Sequence, residues 1–200
     1  MSTHHLQTPF SDEVIRQLHA EDTVYFNGTL FGIRDLTQIY MFDQNHEPPV
    51  SLVGMPCIHT APSLKKVGDK WEKICVGTTT STRMDRFTPD LIAKYGVKAV
   101  IGKGGLYEGS LKAMQEHAAV YLAIVGGSAA LETLQIEEVE DVYWEHLHPE
   151  ALYKFRVKDF GPLTVAMDSH GRHLYEEVKE ATRGRLPRIY RQLGIEQDLT

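Results

Sequence analysis

The sequence predicts an α/β fold in which buried strands alternate with helices. Three neighbouring segments predict it: residues 97–101 form an apolar run that ends in glycines, residues 106–117 have a helical pattern, and residues 118–125 form a second buried strand. This order is that of a βαβ unit with two parallel strands. With 200 residues the chain can bury a sizeable core, and residues 1–200 are interpreted as one domain.

Turn and cap residues delimit the elements that precede this unit. Ser11 is the expected N-cap of the first helix, and Asn27-Gly28 bends the first strand. A polar segment, residues 65–70, is expected to form a turn between two strands, and Gly96 to end a helix. The predicted elements are helix 10–19, strand 23–31, helix 36–45, strands 55–61 and 71–76, and helix 88–95.

Glycine-rich turns also separate the elements that follow the βαβ unit. Residues 126–128 form a second turn between a strand and a helix, and residues 169–171 follow the last strand. The tail, residues 185–200, is expected to be a last helix or a C-terminal arm that docks on a partner. The predicted elements are helix 129–134, strands 137–144, 153–158 and 163–168, and helix 174–183.

Charge and composition argue against several classes of function. The formal net charge is −6, and no cluster of Lys and Arg offsets it, so a nucleic-acid partner is not expected. No apolar run is long enough to cross a bilayer, so no membrane partner is expected either. Cys57 and Cys75 are interpreted as buried thiols in a reducing compartment, and the protein is therefore expected to be cytoplasmic.

The most informative motif is the turn Gly102-Lys103-Gly104-Gly105, which follows an apolar strand. Backbone N–H groups at the start of a helix, a mobile lysine and glycines that admit a close ligand favour binding of an anion. A tight turn with a solvated lysine would have the same sequence. A phosphate loop needs Ser or Thr directly after the lysine, and a dinucleotide fingerprint needs glycine in place of Tyr107. A small carboxylate therefore fits this turn better than a nucleotide.

A second motif, residues 77–85, combines hydroxyl groups with an arginine. Residues 78–82 are four threonines and a serine, and Arg83 follows them. A guanidinium group binds a carboxylate through two parallel hydrogen bonds, so this segment is a candidate second contact for a diacid. The same residues would also suit an edge strand or a helix cap.

Two shorter motifs add weaker candidates. Arg34 is a candidate carboxylate ligand and Asp35 a helix cap or a partner for an arginine, although a surface ion pair is the commoner use of such a dipeptide. His59 ends a predicted strand, a position where structural histidines outnumber acids and bases. No histidine pair has a third ligand at metal spacing, and two cysteines are too few for an iron–sulfur cluster, so no metal site is expected in this chain.

Together and in this order, the four motifs resemble those of the β subunit of two-subunit class I iron–sulfur hydro-lyases, the fumarate hydratase and L(+)-tartrate dehydratase family. The resemblance extends from Thr8 to Gly171 and is most specific at residues 77–85 and 102–105. Residues 157–163 are more similar to the tartrate dehydratase branch. The resemblance implies a swivelling β/β/α fold, as in the C-terminal domain of class I fumarases.

The resemblance also implies a division of labour within a hetero-oligomer. A separate α subunit would carry three cysteines that ligate a [4Fe–4S] cluster, whose fourth iron is open to substrate. This chain would line the pocket from the other side. The residues that match the family's motifs for substrate binding are Arg34, Thr79, Thr80, Arg83 and Lys103, with His59 and Asp35 as accessory residues.

The implied reaction is reversible hydration and dehydration of a four-carbon dicarboxylate, either fumarate/malate or L-tartrate/oxaloacetate. Thr79 and Lys103 are the candidate catalytic residues, with Thr79 as the proton carrier and Thr80 as the alternative. Where family members usually have a histidine followed by basic residues, this chain has Gln38-Ile39-Tyr40. A non-catalytic carboxylate-binding or regulatory subunit that has lost the chemistry is the alternative function.

Overall fold

In the computed structural model, helices surround a mixed sheet. The structure describes residues 1–195, without the side chains of residues 128 and 129. The strands are β1 (Thr3–Gln7), β2 (Thr23–Ile33), β3 (Pro56–His59), β4 (Ser63–Val67), β5 (Lys70–Cys75), β6 (Ala99–Gly102), β7 (Val120–Ala123), β8 (Ile136–Tyr143) and β9 (Leu152–Met167). The α-helices are α1 (Asp12–Ile15), α2 (Asp35–Gln38), α3 (Thr88–Tyr95), α4 (Glu108–His117), α5 (Leu174–Arg183) and α6 (Leu186–Leu193). Within residues 1–195, every helix is too short or too polar to cross a membrane.

Five of the strands close into a ring. β2, β3, β6 and β7 pair in parallel in that order, and β9 pairs antiparallel with both β7 and β2. β1 extends the sheet beside β2, and β8 extends it beside β9. β4 and β5 form a separate hairpin. The architecture is therefore α/β with a barrel-like mixed sheet.

Side chains alternate between the two faces of the sheet, and each face has its own core. Ile101 on β6 and Leu122 on β7 belong to one core, whereas their neighbours Val100 and Tyr121 belong to the other. The second core includes Met114 of α4 and so packs the helices against the sheet. Burial of one such large side chain contributes about 1.5–3 kcal/mol. The two cores together fix the strand ends relative to one another.

Several sequence predictions are confirmed. β6, α4 and β7 form the expected βαβ unit, with β6 and β7 parallel over their full lengths. At the predicted N-cap of the first helix, the Val14 N–H donates to Ser11 Oγ over 3.4 Å. α3 ends at Gly96, whose φ of 67° lies in the left-handed region that glycine adopts at little cost.

Strand pairing over long range explains the predictions that were wrong. β1 was missed because its sequence, Thr-His-His-Leu-Gln, has no local apolar run, yet it pairs with β2. The predicted turn at 65–70 is mostly strand, because the chain reverses at Gly68 between β4 and β5. The strands predicted at 153–158 and 163–168 are one strand, β9, which β2 pairs with along most of its length.

The helical predictions also need correction. The first helix, predicted over 10–19, is reduced to α1, and the predicted helix 36–45 divides into α2 and a π-helical segment, Ile39–Asp43. Residues 129–134 lie in a 3-10 helix, Ser128–Gln135. α6 occupies part of the predicted arm at 185–200, of which residues 196–200 lie outside the described residues.

Candidate functional site

The candidate residues follow the carboxyl ends of parallel strands. Because β2, β3, β6 and β7 are parallel, their carboxyl ends lie at one edge of the sheet. Arg34 follows β2, His59 ends β3, and Lys103 follows β6. In α/β sheets this edge is the usual location of ligand sites. The fold therefore brings together motifs that are far apart in the sequence.

The threonine segment lies between two of these strand ends. Thr79 N donates to the carbonyl oxygen of His59 (2.8 Å), and Ser81 N donates to that of Lys103 (2.9 Å). Residues 78 and 80 form isolated β-bridges with Thr60 and Lys103. This extended segment therefore continues the sheet beyond β3 and β6, and it places the Thr79 and Thr80 backbone beside that of Lys103.

Asp35 joins the two candidate arginines. Its Oδ2 atom lies 2.9 Å from Arg83 Nη2 and 3.4 Å from Arg34 Nε. Arg83 Nη2 also lies 3.4 Å from Thr79 Oγ1. Four of the predicted residues, from two segments of the chain, thus form one connected group of side chains. This group is half-exposed and contains two guanidinium groups, which suit a ligand with carboxylate groups.

Glu150 is a member of this site that the sequence analysis missed. Its Oε1 lies 3.4 Å from Arg34 Nη1, and its Oε2 accepts a hydrogen bond from Leu36 N over 2.8 Å. The Thr37 hydroxyl donates to the Glu150 carbonyl oxygen. These contacts hold the start of α2 and orient Arg34. No local sequence signal marked Glu150, because its partners lie about 114 residues away in the chain.

Lys103 adds a third positively charged side chain to the site. Within the described residues, no carboxylate lies within ion-pair distance of its amino group, whereas both arginines are paired. Its side chain crosses Gly126, where an added Cβ would lie 2.9 Å from Lys103 Cδ. The second glycine-rich turn therefore provides the space that the lysine side chain occupies.

The two candidate threonines have different surroundings. Thr79 is half-buried and its hydroxyl faces Arg83, as described above. Thr80 is exposed, and its methyl group would lie 3.3 Å from a Cβ added at Gly104. A cation beside a hydroxyl favours its deprotonated form, so the geometry favours Thr79 over Thr80 as a proton carrier.

His59 lies behind this surface rather than on it. It is fully buried, and burial lowers the pKa of the imidazole to about 3, so the ring is neutral. His59 Nδ1 lies 2.9 Å from Ser81 Oγ, which in turn lies 3.0 Å from Tyr121 Oη. Ser81 and Tyr121 were not predicted as site residues. A tyrosine within an apolar strand, such as Tyr121, is usually part of the hydrophobic core.

The described residues do not provide a ligand set for an iron–sulfur cluster. Cys57 is fully buried in β3, and burial raises the pKa of its thiol, which disfavours the thiolate that binds iron. Cys75 lies on a different sheet, at the end of β5. Within residues 1–195, outside the undescribed side chains, no three His, Cys, Asp or Glu side chains are grouped so that they could hold a metal.

The segment Gln38-Ile39-Tyr40 has a structural role in this chain. Gln38 is buried, and its side-chain amide lies 3.4 Å from the carbonyl oxygen of Arg34. The Tyr40 ring stacks on His46 with 3.8 Å between ring centroids and contacts Trp144 edge-on at 5.0 Å. Polar and aromatic packing therefore replaces the basic residues that the family resemblance led us to expect.

A cleft of about 590 Å³ lies between β5 and β8, away from these residues. Seven acidic residues line it against two lysines. Such a lining disfavours a dicarboxylate by charge repulsion. The carboxyl edge of the parallel strands, with its lysine and arginines, is the better candidate. The acidic residues of the cleft are Asp69, Glu72, Glu137, Glu138, Glu140, Asp141 and Glu145.

Comparison with known proteins shows the family to which the chain belongs. The family model described as Fumarase C-terminus matches residues 2–178. The L(+)-tartrate dehydratase subunit beta of Escherichia coli (strain K12) is 39% identical over 176 residues, which cover 88% of each chain. A protein of Methanocaldococcus jannaschii, named provisionally as the same subunit, is 39% identical over 171 residues, 83% of this chain and 88% of that protein.

A longer protein also matches. A protein of Geobacillus stearothermophilus, named provisionally as a class I fumarate hydratase, is 40% identical over 179 residues. The match covers 88% of this chain but 34% of that protein. The sequence is thus similar both to separate β subunits and to one part of a longer chain.

Proposed function

Because the chain belongs to the Fumarase C-terminus family, we propose that it is the β subunit of a two-subunit iron–sulfur hydro-lyase. Its substrate would be a four-carbon dicarboxylate, either fumarate/malate or L-tartrate/oxaloacetate. The observation that carries this proposal is that Lys103, which has no carboxylate partner among the described residues, lies at the same sheet edge as Thr79, Arg83 and Arg34. The names of the most similar relatives support a hydro-lyase subunit.

The proposal assigns a role to each group of side chains. Arg34, Arg83 and Lys103 bind the substrate carboxylates and stabilise the negative charge that develops as a proton leaves the adjacent carbon. Thr79 carries that proton, and Arg83 supports it by stabilising its alkoxide form. Asp35 keeps the arginines aligned. These roles use this chain's own residues and are independent of how the partner's cofactor acts.

The [4Fe–4S] cluster belongs to the α subunit in this proposal. The names of the relatives, which designate a subunit beta, support the existence of an α partner. The unsuitable cysteines of this chain are consistent with a cluster held elsewhere. The expected assembly is a cytoplasmic hetero-oligomer.

We also propose that residues 1–200 form one swivelling β/β/α domain. The closed mixed sheet, the β4–β5 hairpin and the packing of α3 and α4 on the sheet support this assignment. The family match over residues 2–178 supports it independently. α6 lies beyond the matched region and is treated as an appended arm.

The proposed function is tested by replacing Lys103 in the complex with its α subunit. Lys103→Met should lower kcat for the preferred dicarboxylate by about 10²–10³-fold, because one preorganised charge is lost at the reacting centre. The matched control is Lys112→Met, since that lysine lies on α4 with its side chain 74% exposed. Rates with fumarate, malate and L-tartrate identify the substrate, and circular dichroism checks the fold.

The outcomes separate the proposed function from its alternative. A folded Lys103→Met enzyme with a near-normal rate would remove Lys103 from the chemistry. A wild-type complex that is inactive on every dicarboxylate, but whose melting temperature rises with one of them, would indicate a binding or regulatory subunit instead.

A further inference from the structure

A buried chain of hydrogen bonds lies directly beneath the candidate lysine. His59 Nδ1 lies 2.9 Å from Ser81 Oγ, Ser81 Oγ lies 3.0 Å from Tyr121 Oη, and Tyr121 Oη lies 3.0 Å from the carbonyl oxygen of Gly104. His59, Ser81 and Tyr121 are fully buried. Ser81 and Tyr121 are not among the residues predicted from the sequence, and the buried His59 does not reach the surface of the site.

The carbonyl group at one end sets the direction of this chain. A carbonyl oxygen only accepts, so the Tyr121 hydroxyl donates to Gly104 and must itself accept from the Ser81 hydroxyl. Ser81 then accepts from His59, which requires the proton to be on Nδ1. This assignment leaves His59 Nε2, which has no partner among the described residues, as a bare lone pair rather than an unpaired N–H.

The chain ends on the peptide that follows Lys103. Ser81 N donates to the Lys103 carbonyl oxygen (2.9 Å), while Tyr121 Oη holds the next carbonyl, that of Gly104. Gly104 has a φ of 72°, so the turn depends on a left-handed residue directly after the lysine. Both carbonyl groups beside Lys103 are therefore fixed by residues of one network.

We propose that Tyr121 and Ser81 are positioning residues that hold the Lys103–Gly104 turn, and through it the Lys103 amino group, in its working place. The inference rests on the proposed function for its effect on catalysis. No carboxylate among the described residues pairs with the Lys103 amine, so its location depends on its backbone and on the packing of its side chain over Gly126.

Tyr121→Phe, compared with Tyr153→Phe, tests the proposal in the complex with the α subunit. Both tyrosines are fully buried. Tyr121 donates to the backbone carbonyl of Gly104 (3.0 Å), and Tyr153 donates to that of Pro149 (2.9 Å). Tyr121→Phe should lower kcat by about 10–100-fold with a smaller change in KM, because misplacing a catalytic group by a fraction of an ångström is costly. Tyr153→Phe should lose comparable stability, and it serves as the control for the local effect at residues 103–105.

Amide hydrogen exchange at residues 103–105 provides a readout that does not depend on activity. Exchange at these amides should become faster in Tyr121→Phe and stay unchanged in Tyr153→Phe. Equal exchange at these amides in the two variants would overturn the inference, and so would a kcat of Tyr121→Phe equal to that of the wild type. If exchange changes as expected but the wild-type complex has no hydro-lyase activity, the proposed function fails while the positioning role stands.

A double variant tests whether the two residues act as one unit. Ser81→Ala removes the link between His59 and Tyr121, so its effect on kcat should overlap with that of Tyr121→Phe rather than add to it. Independent, multiplicative losses would contradict a shared chain.

Discussion

The candidate site depends on single residues whose partners are remote in the sequence. Asp35 illustrates this, since it aligns Arg34 beside it and Arg83 from another segment. The sequence could indicate candidate carboxylate ligands, because lysine and arginine are cations and threonine carries a hydroxyl donor. The supporting residues Tyr121 and Glu150 could not, because their roles come from partners 17 to 114 residues away.

Gly102 lies against the buried side chains of Ser81 and Tyr121. An added Cβ would overlap Ser81 Oγ and lie 3.2 Å from Tyr121 Oη, in a region without free space. Gly102→Ala should therefore lower the free energy of unfolding by about 1–3 kcal/mol, as expected for overpacking. Urea denaturation measures it.

Gly109→Ala is the matched control for this glycine. Gly109 lies in α4, and an added Cβ would meet nothing within 4 Å, so the substitution should stabilise the protein by about 0.5–1 kcal/mol through helix propensity. If Gly102→Ala were as stable as the wild type, the close packing of Ser81 against β6 would be wrong.

Among the elements, those with a local signal were predicted well and those defined by pairing were not. The βαβ unit of β6, α4 and β7 has buried apolar strands and a glycine-ended helix before it, so its pattern is unambiguous. β1 and β4 are short and polar, and they are strands because β2 and β5 supply their hydrogen bonds. The prediction divided β9 into two strands, because Gly161 and Pro162 are residues that usually interrupt a strand. In the structure β2 and β7 pair with β9 on either side of them.

Asp85 links two elements that form the edge of the site. Its Oδ1 accepts from Tyr107 N (2.8 Å) and from the buried Ser110 hydroxyl (2.7 Å), so it caps α4 from a 3-10 helix, Ser81–Phe87. Tyr107, the N-cap of α4, offers no capping side chain of its own. Asp85→Ala should therefore lower the free energy of unfolding by about 1–2 kcal/mol.

Asp85→Asn separates the two parts of this effect. Asparagine keeps an acceptor oxygen but loses the negative charge at the helix N-terminus, so its loss should be roughly half that of alanine. Chemical denaturation of the three proteins gives the comparison. Identical stability of Asp85→Ala and the wild type would mean that α4 is capped by other groups.

At the scale of the whole molecule, the site lies at an open edge of the sheet. The carboxyl ends of β2, β3 and β6 present Arg34, Thr79 and Lys103 on a half-exposed surface. A partner that covers this edge would exclude water and strengthen each charge interaction. This geometry suits a chain that completes an active site together with a second subunit, and it agrees with a match to one part of a longer relative.

The short N-terminal segment should contribute more to the stability of the protein than the longer C-terminal segment does. α6 has no buried residue and lies beyond the family match at 178, so ending the chain at Gly184 should change the free energy of unfolding by less than about 1 kcal/mol. Deleting residues 2–7 removes β1, which pairs with β2. The buried Asp22 then also loses its contacts with Ser2 N (2.6 Å) and His4 Nε2 (3.0 Å). That shorter deletion should cost at least about 2 kcal/mol. Urea denaturation of both truncated proteins decides the order, and a larger loss at the C-terminal end would mean that α6 packs on the domain more closely than its exposed side chains indicate.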